Sequence, residues 1–121
     1  MNLKTLVRES YRTAVEKGWW DKPRSSLEIA ALIHSEVSEF VEIERRSSQN
    51  AIRHRQKGWS LIRNAETGRP ILPVGPAIEL ADAVIRIADY FGRMGWDLDE
   101  VLRVKMKHNM SREYRHGGKK F

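Results

Sequence analysis

The chain has 121 residues, of which 40% are hydrophobic and 31% are charged, a balance typical of one folded globular domain. No apolar run approaches the roughly 20 residues that cross a bilayer, and the N-terminus lacks a secretory segment, so we expect a cytoplasmic protein without membrane contact. The absence of cysteine excludes disulfides and thiolate metal sites. The net charge of +6 suits nucleic acid, an anionic membrane or a phosphorylated small molecule.

Apolar residues at helical spacing predict four helices and no sheet. The first helix covers about residues 3–17, and the second starts at a capping sequence that includes Ser25 and Glu28 and runs to about residue 47. The third begins near Pro76 and ends before Gly95, and the fourth follows Asp97 and runs to about residue 112. The expected fold class is all-α, with four main helices in an antiparallel, bundle-like arrangement that forms one domain over residues 1–121.

Two segments lack this periodicity. Residues 48–76 are rich in Arg, Lys, Gly and Pro, which predicts a long basic loop with a short helix near residues 51–56. The basic tail, residues 113–121, contains Gly117 and Gly118 and is also predicted to be loop.

Two acidic pairs at helical spacing are the most informative local pattern. Glu36 and Glu39 belong to the second helix and Glu79 and Asp82 to the third, so each pair presents two carboxylates on one side of its helix. Four converging carboxylates repel one another unless a cation lies among them, and a hard divalent ion such as Mg²⁺ prefers oxygen ligands. The pattern favours metal-assisted phosphate chemistry.

Each pair also has a simpler interpretation. Glu36 falls inside the apolar arc of the second helix, where an unpaired carboxylate is costly. A metal ion is favoured there, and a buried pair with Arg86 stays open as the alternative. The third helix carries a polar stripe that includes Asp89. Considered alone, this stripe indicates a solvated face with ion pairs four residues apart. Apolar residues on both sides of the stripe favour a polar cleft between helices instead.

Two further groups of residues suit a nucleotide. The fourth helix carries Lys105, Asn109 and Arg112 along one line. These side chains could bind an acidic or phosphate partner, or they could simply extend to solvent from the edge of a core, and the sequence favours neither alternative. Trp19 and Trp20 follow the first helix, where they would stack on a base or pack on the bundle. Packing is favoured for at least one of the two.

Four segments carry a family resemblance: KGWWDKPRS at 17–25, EVSE at 36–39, GPAIELADAVIRIADY at 75–90 and the ending KMKHNMSREYRHGGKKF. Together they resemble the MazG-like, all-α nucleoside triphosphate pyrophosphohydrolases over most of the chain. The resemblance implies that Glu36, Glu39, Glu79 and Asp82 hold Mg²⁺, with Mn²⁺ as an alternative. It also implies cleavage of an NTP or dNTP between the α- and β-phosphates, and a homodimer or homotetramer in which helices pack across subunits. The two acidic pairs are further apart along this chain than in the usual compact members of that family.

The expected roles follow from the resemblance. Glu36, Glu39 and Lys105 are the expected catalytic residues, with Glu39 taking a proton from the attacking water. The expected substrate-binding residues are Trp20, Lys105, Asn109, Arg112, Arg115, His116 and Lys119. The alternative is a basic helical module that binds nucleic acid or a protein partner without catalysis; it explains the charge but leaves Glu36 in an apolar sector unexplained.

Overall fold

The computed structural model describes residues 1–46 and 56–120, apart from the side chain of His116. Within those ranges the chain is mostly helical, as predicted, but the prediction of no sheet is wrong because the chain also contains a two-stranded sheet. The helices are α1 (Leu3–Glu16), α2 (Ser26–Arg46), α3 (Pro76–Met94), α4 (Leu98–Ser111) and the short α5 (Arg115–Gly118), and the strands are β1 (Ser60–Arg63) and β2 (Pro70–Val74). The short helix predicted near residues 51–56 falls largely outside the described residues.

Capping side chains fix the helix ends close to their predicted positions. The hydroxyl of Ser25 accepts the backbone N–H of Glu28 at 3.1 Å at the start of α2. The carboxylate of Asp97 accepts the N–H of Glu100 at 3.0 Å at the start of α4. Helix α3 is capped by Gly95, which follows its last residue and whose φ of 69° is the left-handed conformation that glycine adopts without strain.

Both segments predicted to be loop contain regular structure, so those predictions are wrong in part. Strands β1 and β2 form an antiparallel hairpin in which Leu61 faces Pro73 and Ile62 faces Leu72. The Arg, Gly and Pro content concealed these short apolar runs, and proline is tolerated because each strand of a two-stranded sheet is an edge strand. In the tail, residues 115–118 form α5.

Helix α3 is the centre of the fold because it packs against both α1 and α2. Helix α4 packs mainly on α1, and the hairpin is attached to α3 through β2. Among the described residues, the buried hydrophobic core is small and consists of Ile29, Ala83 and Ala88. The alanines let neighbouring helices approach α3 closely, which places side chains of α2 and α3 face to face.

The single chain exposes an unusually large surface. Its accessible area is 9947 Å², whereas a compact monomer of 14.1 kDa exposes about 6,700 Å². Several apolar residues of helices α2 and α3 are between 36% and 49% exposed: Val37 and Val41 on α2, and Leu80, Val84 and Ile87 on α3. Within the described ranges, the apolar faces of α2 and α3 are therefore only partly covered.

The packing of α1 on α3 yields a stability prediction at Gly92. A Cβ added there would lie 2.5 Å from the Cβ of Tyr11 and 3.3 Å from the carbonyl oxygen of Val7. We expect Gly92→Ala to lower the free energy of unfolding by about 1–2 kcal/mol, because this overpacking outweighs the roughly 1 kcal/mol of helix propensity that alanine adds. Urea unfolding measures the change, and Ala81→Gly calibrates propensity at an exposed site of the same helix. A Gly92→Ala variant at least as stable as the wild type would contradict the close contact.

Candidate metal centre and adjoining pocket

Helices α2 and α3 bring three of the four predicted metal ligands together. One carboxylate oxygen each of Glu36, Glu39 and Glu79 lies within 4.8 Å of the other two, and we call these residues the acidic cluster. Glu36 is 7% exposed, Glu79 is half-buried and Glu39 is exposed. The acidic cluster thus extends from the interior to the surface, where a hydrated cation can reach it.

Asp82, the fourth predicted ligand, lies beside the acidic cluster. Burial raises its pKa, and the negative charges of Glu36 and Glu39 act in the same direction, while the positive charge of Arg86 opposes them. Asp82 also lines the same pocket as Glu36. Its carboxylate is therefore electrostatically part of the same group.

The acidic cluster holds a proton near neutral pH. The pKa of Glu79 is raised to about 7, first by burial and then by a side-chain hydrogen bond with Glu39 and the negative charges of Glu39, Asp82 and Glu36. A divalent cation replaces such a proton and offsets the repulsion. Because every donor in the group is a carboxylate oxygen, the group fits Mg²⁺, and also Mn²⁺.

Arg86 forms the ion pair that was the simpler alternative for Glu36. Its Nε–H donates to Oε1 of Glu36 at 2.5 Å, and the Glu36 side chain is only 10% exposed. One guanidinium does not balance the whole group, because the pKa values of Glu79 and Asp82 stay raised in its presence. The ion pair and the acidic cluster are therefore both present, and neither excludes the other.

A pocket of about 510 Å³, bordered by α1, α2 and α3, adjoins the acidic cluster. Its volume lies within the range of sites for small molecules, roughly 300–1,000 Å³. Glu36, Asp82 and Arg86 line the pocket where it meets the acidic cluster. Much of the remaining wall is apolar or aromatic and includes Leu6, Ala14, Trp19, Trp20, Ile29 and Leu32. We call it the aromatic pocket.

Both tryptophans line the aromatic pocket, in different ways. The indole N–H of Trp20 donates to Oδ1 of Asp89 at 2.8 Å, which fixes its ring as part of the wall. Trp19 is 48% exposed, and the guanidinium carbons of Arg24 and Arg86 lie 5.0 and 5.7 Å from its ring centroid. Trp20, the predicted substrate contact, is thus a fixed part of the pocket wall, and Trp19 is the more accessible ring.

The predicted phosphate-binding residues of α4 and the tail lie elsewhere on the single chain. Lys105 lines a separate cleft with Val101, Val104 and His108. The other predicted substrate contacts in this region are exposed: Asn109, Arg112, Arg115 and Lys119. The side chain of His116 lies outside the described residues. Those of these residues that the structure describes do not line the aromatic pocket of their own chain.

Sequence reasoning did not assign Ser10, Arg86 or Asp89 to a binding site. Arg86 and Asp89 follow Asp82 by four and seven residues, so their shared stripe was a usable signal. Burial raises the pKa of Asp89, while its hydrogen bond with Trp20 and nearby arginines oppose the rise. Ser10 is 8% exposed and lines the aromatic pocket, and a lone serine on a helix carries no pattern that predicts this.

Comparisons with protein-family models, curated proteins and solved structures found no match to this chain. The likeness to MazG-like pyrophosphohydrolases therefore rests on the sequence segments that carry it, and what it implies about activity stays a prediction. No described helix combines the length and the apolar character needed to span a bilayer.

The pKa of Glu79 predicts how stability and Mg²⁺ binding depend on pH. Between its ordinary value of 4.5 and about 7, Glu79 is protonated in the folded chain and ionised in the unfolded one. Its contribution to stability is thus complete below 4.5 and is lost as the pH rises through about 7. Because Mg²⁺ must displace this proton, we expect Mg²⁺ to raise Tm more above pH 7 than below it.

Thermal melts of the wild type, Glu79→Gln and Glu66→Gln across this pH range test the expectation. Glu66 is exposed in the turn of the hairpin, away from the acidic cluster, and serves as the matched control. Glu79→Gln should flatten the pH dependence of stability and that of the Mg²⁺-induced rise in Tm, and Glu66→Gln should leave both as in the wild type. An unchanged pH dependence in Glu79→Gln would show that Glu79 is not the group that holds the proton.

Proposed function

We propose that the protein is a Mg²⁺-dependent nucleoside triphosphate pyrophosphohydrolase, which converts an NTP or dNTP to the monophosphate and pyrophosphate. The observation that carries the proposal is the convergence of Glu36, Glu39 and Glu79 within 4.8 Å at the edge of an aromatic pocket of about 510 Å³. A nucleotide has a planar base that suits such a pocket and a polyphosphate that binds a divalent cation. The contact between the two features therefore favours a nucleotide over a bare polyphosphate.

Glu36, Glu39, Glu79 and Asp82 would hold the cation in this proposal. When bound, Mg²⁺ neutralises phosphate charge and lowers the pKa of a water molecule. The chain supplies the position of the ligands, because α2 and α3 pack directly on each other and Arg86 holds Glu36 by its Nε–H. Glu36 is the buried member and anchors the group to the interior.

Glu39 is the general base in the proposed reaction. It is the exposed member of the acidic cluster, so its carboxylate is open to water. The water oxygen bonds to the α-phosphorus as the bond from that phosphorus to the bridging oxygen breaks, and pyrophosphate leaves with the bridging oxygen. The proton of the attacking water passes to Glu39.

We also propose that the active form is a homodimer or homotetramer. The chain exposes 9947 Å² against about 6,700 Å² for a compact monomer, so each chain has an excess of roughly 3,000 Å², and one partner of an obligate interface buries about 1,000–2,500 Å². A second copy on the apolar faces of α2 and α3 would cover Val37, Val41 and Val84. It would also offer its own α4, whose Lys105 complements the negative charge of the acidic cluster and of a bound polyphosphate.

A panel of nucleoside triphosphates incubated with the protein and Mg²⁺ tests the activity. We expect release of pyrophosphate rather than orthophosphate, loss of turnover with EDTA, and recovery when Mg²⁺ is restored. Glu39→Gln should lower kcat/KM by about 10²- to 10⁴-fold, the usual worth of a general base. Glu42→Gln is the matched control, because Glu42 lies on the same helix in a surface ion pair with Arg46. Orthophosphate as the phosphate product, or turnover that survives chelation, would contradict the proposal.

Mixed oligomers test whether Lys105 acts on the acidic cluster of a neighbouring subunit. Glu36→Gln and Lys105→Gln should each be inactive alone. When the two are unfolded and refolded together, we expect about a quarter of wild-type activity, because half of the dimers are hybrids and each hybrid keeps one intact site.

The control mixture combines Glu36→Gln with Asp82→Asn, which lie in the same half of the proposed shared site. This mixture should stay inactive, because no hybrid contains an intact set of carboxylates. Sedimentation of the wild type should give a dimer or tetramer. Thermal melts of the wild type should give a Tm that rises with protein concentration. A monomer at assay concentration, or no recovery in the first mixture, would refute the shared site.

A further inference from the structure

Arg86 stands where the acidic cluster meets the aromatic pocket. Its Nε–H donates to Oε1 of Glu36 at 2.5 Å, and its guanidinium carbon lies 5.7 Å from the ring centroid of Trp19. Arg86 also lines the aromatic pocket together with Asp82, and its side chain is 30% exposed. One side chain therefore contacts both parts of the proposed site.

Arg86 has hydrogen-bond donors to spare. A guanidinium carries five N–H groups, and among the residues that the structure describes only the Nε–H of Arg86 has a hydrogen-bond partner. The four N–H groups of the terminal nitrogens are left for a ligand. A planar pair of such donors matches two oxygens of one phosphoryl group better than it matches any neutral acceptor.

The other two arginines near the tryptophans are engaged differently. Arg24 donates its Nε–H to the backbone carbonyl of Trp19 at 2.8 Å. Arg93 lies over the ring of Trp20, 4.8 Å from its centroid, and is exposed. Of these three arginines, Arg86 is the one paired with a carboxylate of the acidic cluster.

We propose that the terminal amino groups of Arg86 bind the phosphoryl group attached to the nucleoside: the α-phosphate of the triphosphate and the phosphate of the monophosphate product. The inference rests on the proposed function, which puts the nucleoside in the aromatic pocket and the outer phosphates on the acidic cluster. The phosphoryl group between them then lies at the boundary that Arg86 occupies. Arg86 holds Glu36 with one nitrogen and contacts the attacked phosphoryl group with the other two.

Binding of the monophosphate product, compared with its parent nucleoside, tests this assignment without turnover. Each common nucleoside monophosphate and its nucleoside are titrated by calorimetry against protein saturated with Mg²⁺. In the wild type the monophosphate should bind more tightly than the nucleoside. Arg86→Gln should weaken monophosphate binding about 10- to 100-fold, as expected for a lost charge-assisted hydrogen bond, and should leave nucleoside binding unchanged.

Two further variants separate recognition of phosphate from general structure. Arg93→Gln is the matched control on the same helix, and it should bind both compounds as the wild type does. Arg86→Lys keeps the charge but loses the planar fork, so its monophosphate affinity should fall between those of the wild type and Arg86→Gln. The Mg²⁺ concentration that stabilises each variant is measured by thermal melting, so that every titration is made with the metal bound.

The outcomes are distinct from those of the activity assay. Equal weakening of nucleoside and monophosphate in Arg86→Gln, or unchanged affinity for both, would overturn the inference, as would failure of every monophosphate to bind the wild type. If the wild type releases pyrophosphate but Arg86→Gln weakens both compounds equally or changes neither, the proposed function is upheld and the role of Arg86 is refuted. Binding of monophosphate that depends on Arg86, without turnover, would uphold the phosphate contact and remove the hydrolase.

Discussion

The mutual repulsion of the carboxylates that α2 and α3 present to each other is the constraint on which the rest of the structure depends. The buried Glu36 is paired with Arg86, which offsets part of its charge, and the pKa of Glu79 rises to about 7 mainly because of burial and its acidic neighbours. Carboxylates brought this close destabilise the folded chain when ionised. An arrangement that works against folding in this way is typical of a functional site and atypical of a packing contact.

The same constraint explains why the apolar core is thin. Helix α3 turns its polar stripe toward α2 and the aromatic pocket, so Leu80, Val84 and Ile87 on its other side are left only partly covered. In the proposed oligomer, a second copy would cover this apolar face of α3. Folding and assembly would then be linked, because the covered surface is the reverse side of the helix that carries Glu79 and Asp82.

Much of the helical fold and the meeting of the acidic pairs could be predicted because both follow from the helical repeat and from capping residues such as Ser25 and Asp97. The hairpin could not, because strands of four and five residues with two prolines give too little alternation to stand out in a basic, glycine-rich stretch. The exposure of Val84 could not be predicted either. Periodicity identifies an apolar face, but it does not say whether the same chain or another one covers it.

The role of Arg86 could not be predicted from the sequence, because a buried ion pair and a ligand contact require the same residue types at the same spacing. The structure shows the ion pair, in which Nε of Arg86 donates to Glu36, and it leaves the terminal nitrogens without a hydrogen-bond partner among the described residues. A shared residue also makes chemical sense at this boundary. A bare polyphosphate would reach the acidic cluster but leave the aromatic pocket empty, and a nucleoside would fill the pocket but leave Arg86 without an acceptor. A nucleotide would satisfy both at once, so under the proposed function the contact between the two parts of the site would account for selectivity for nucleotides.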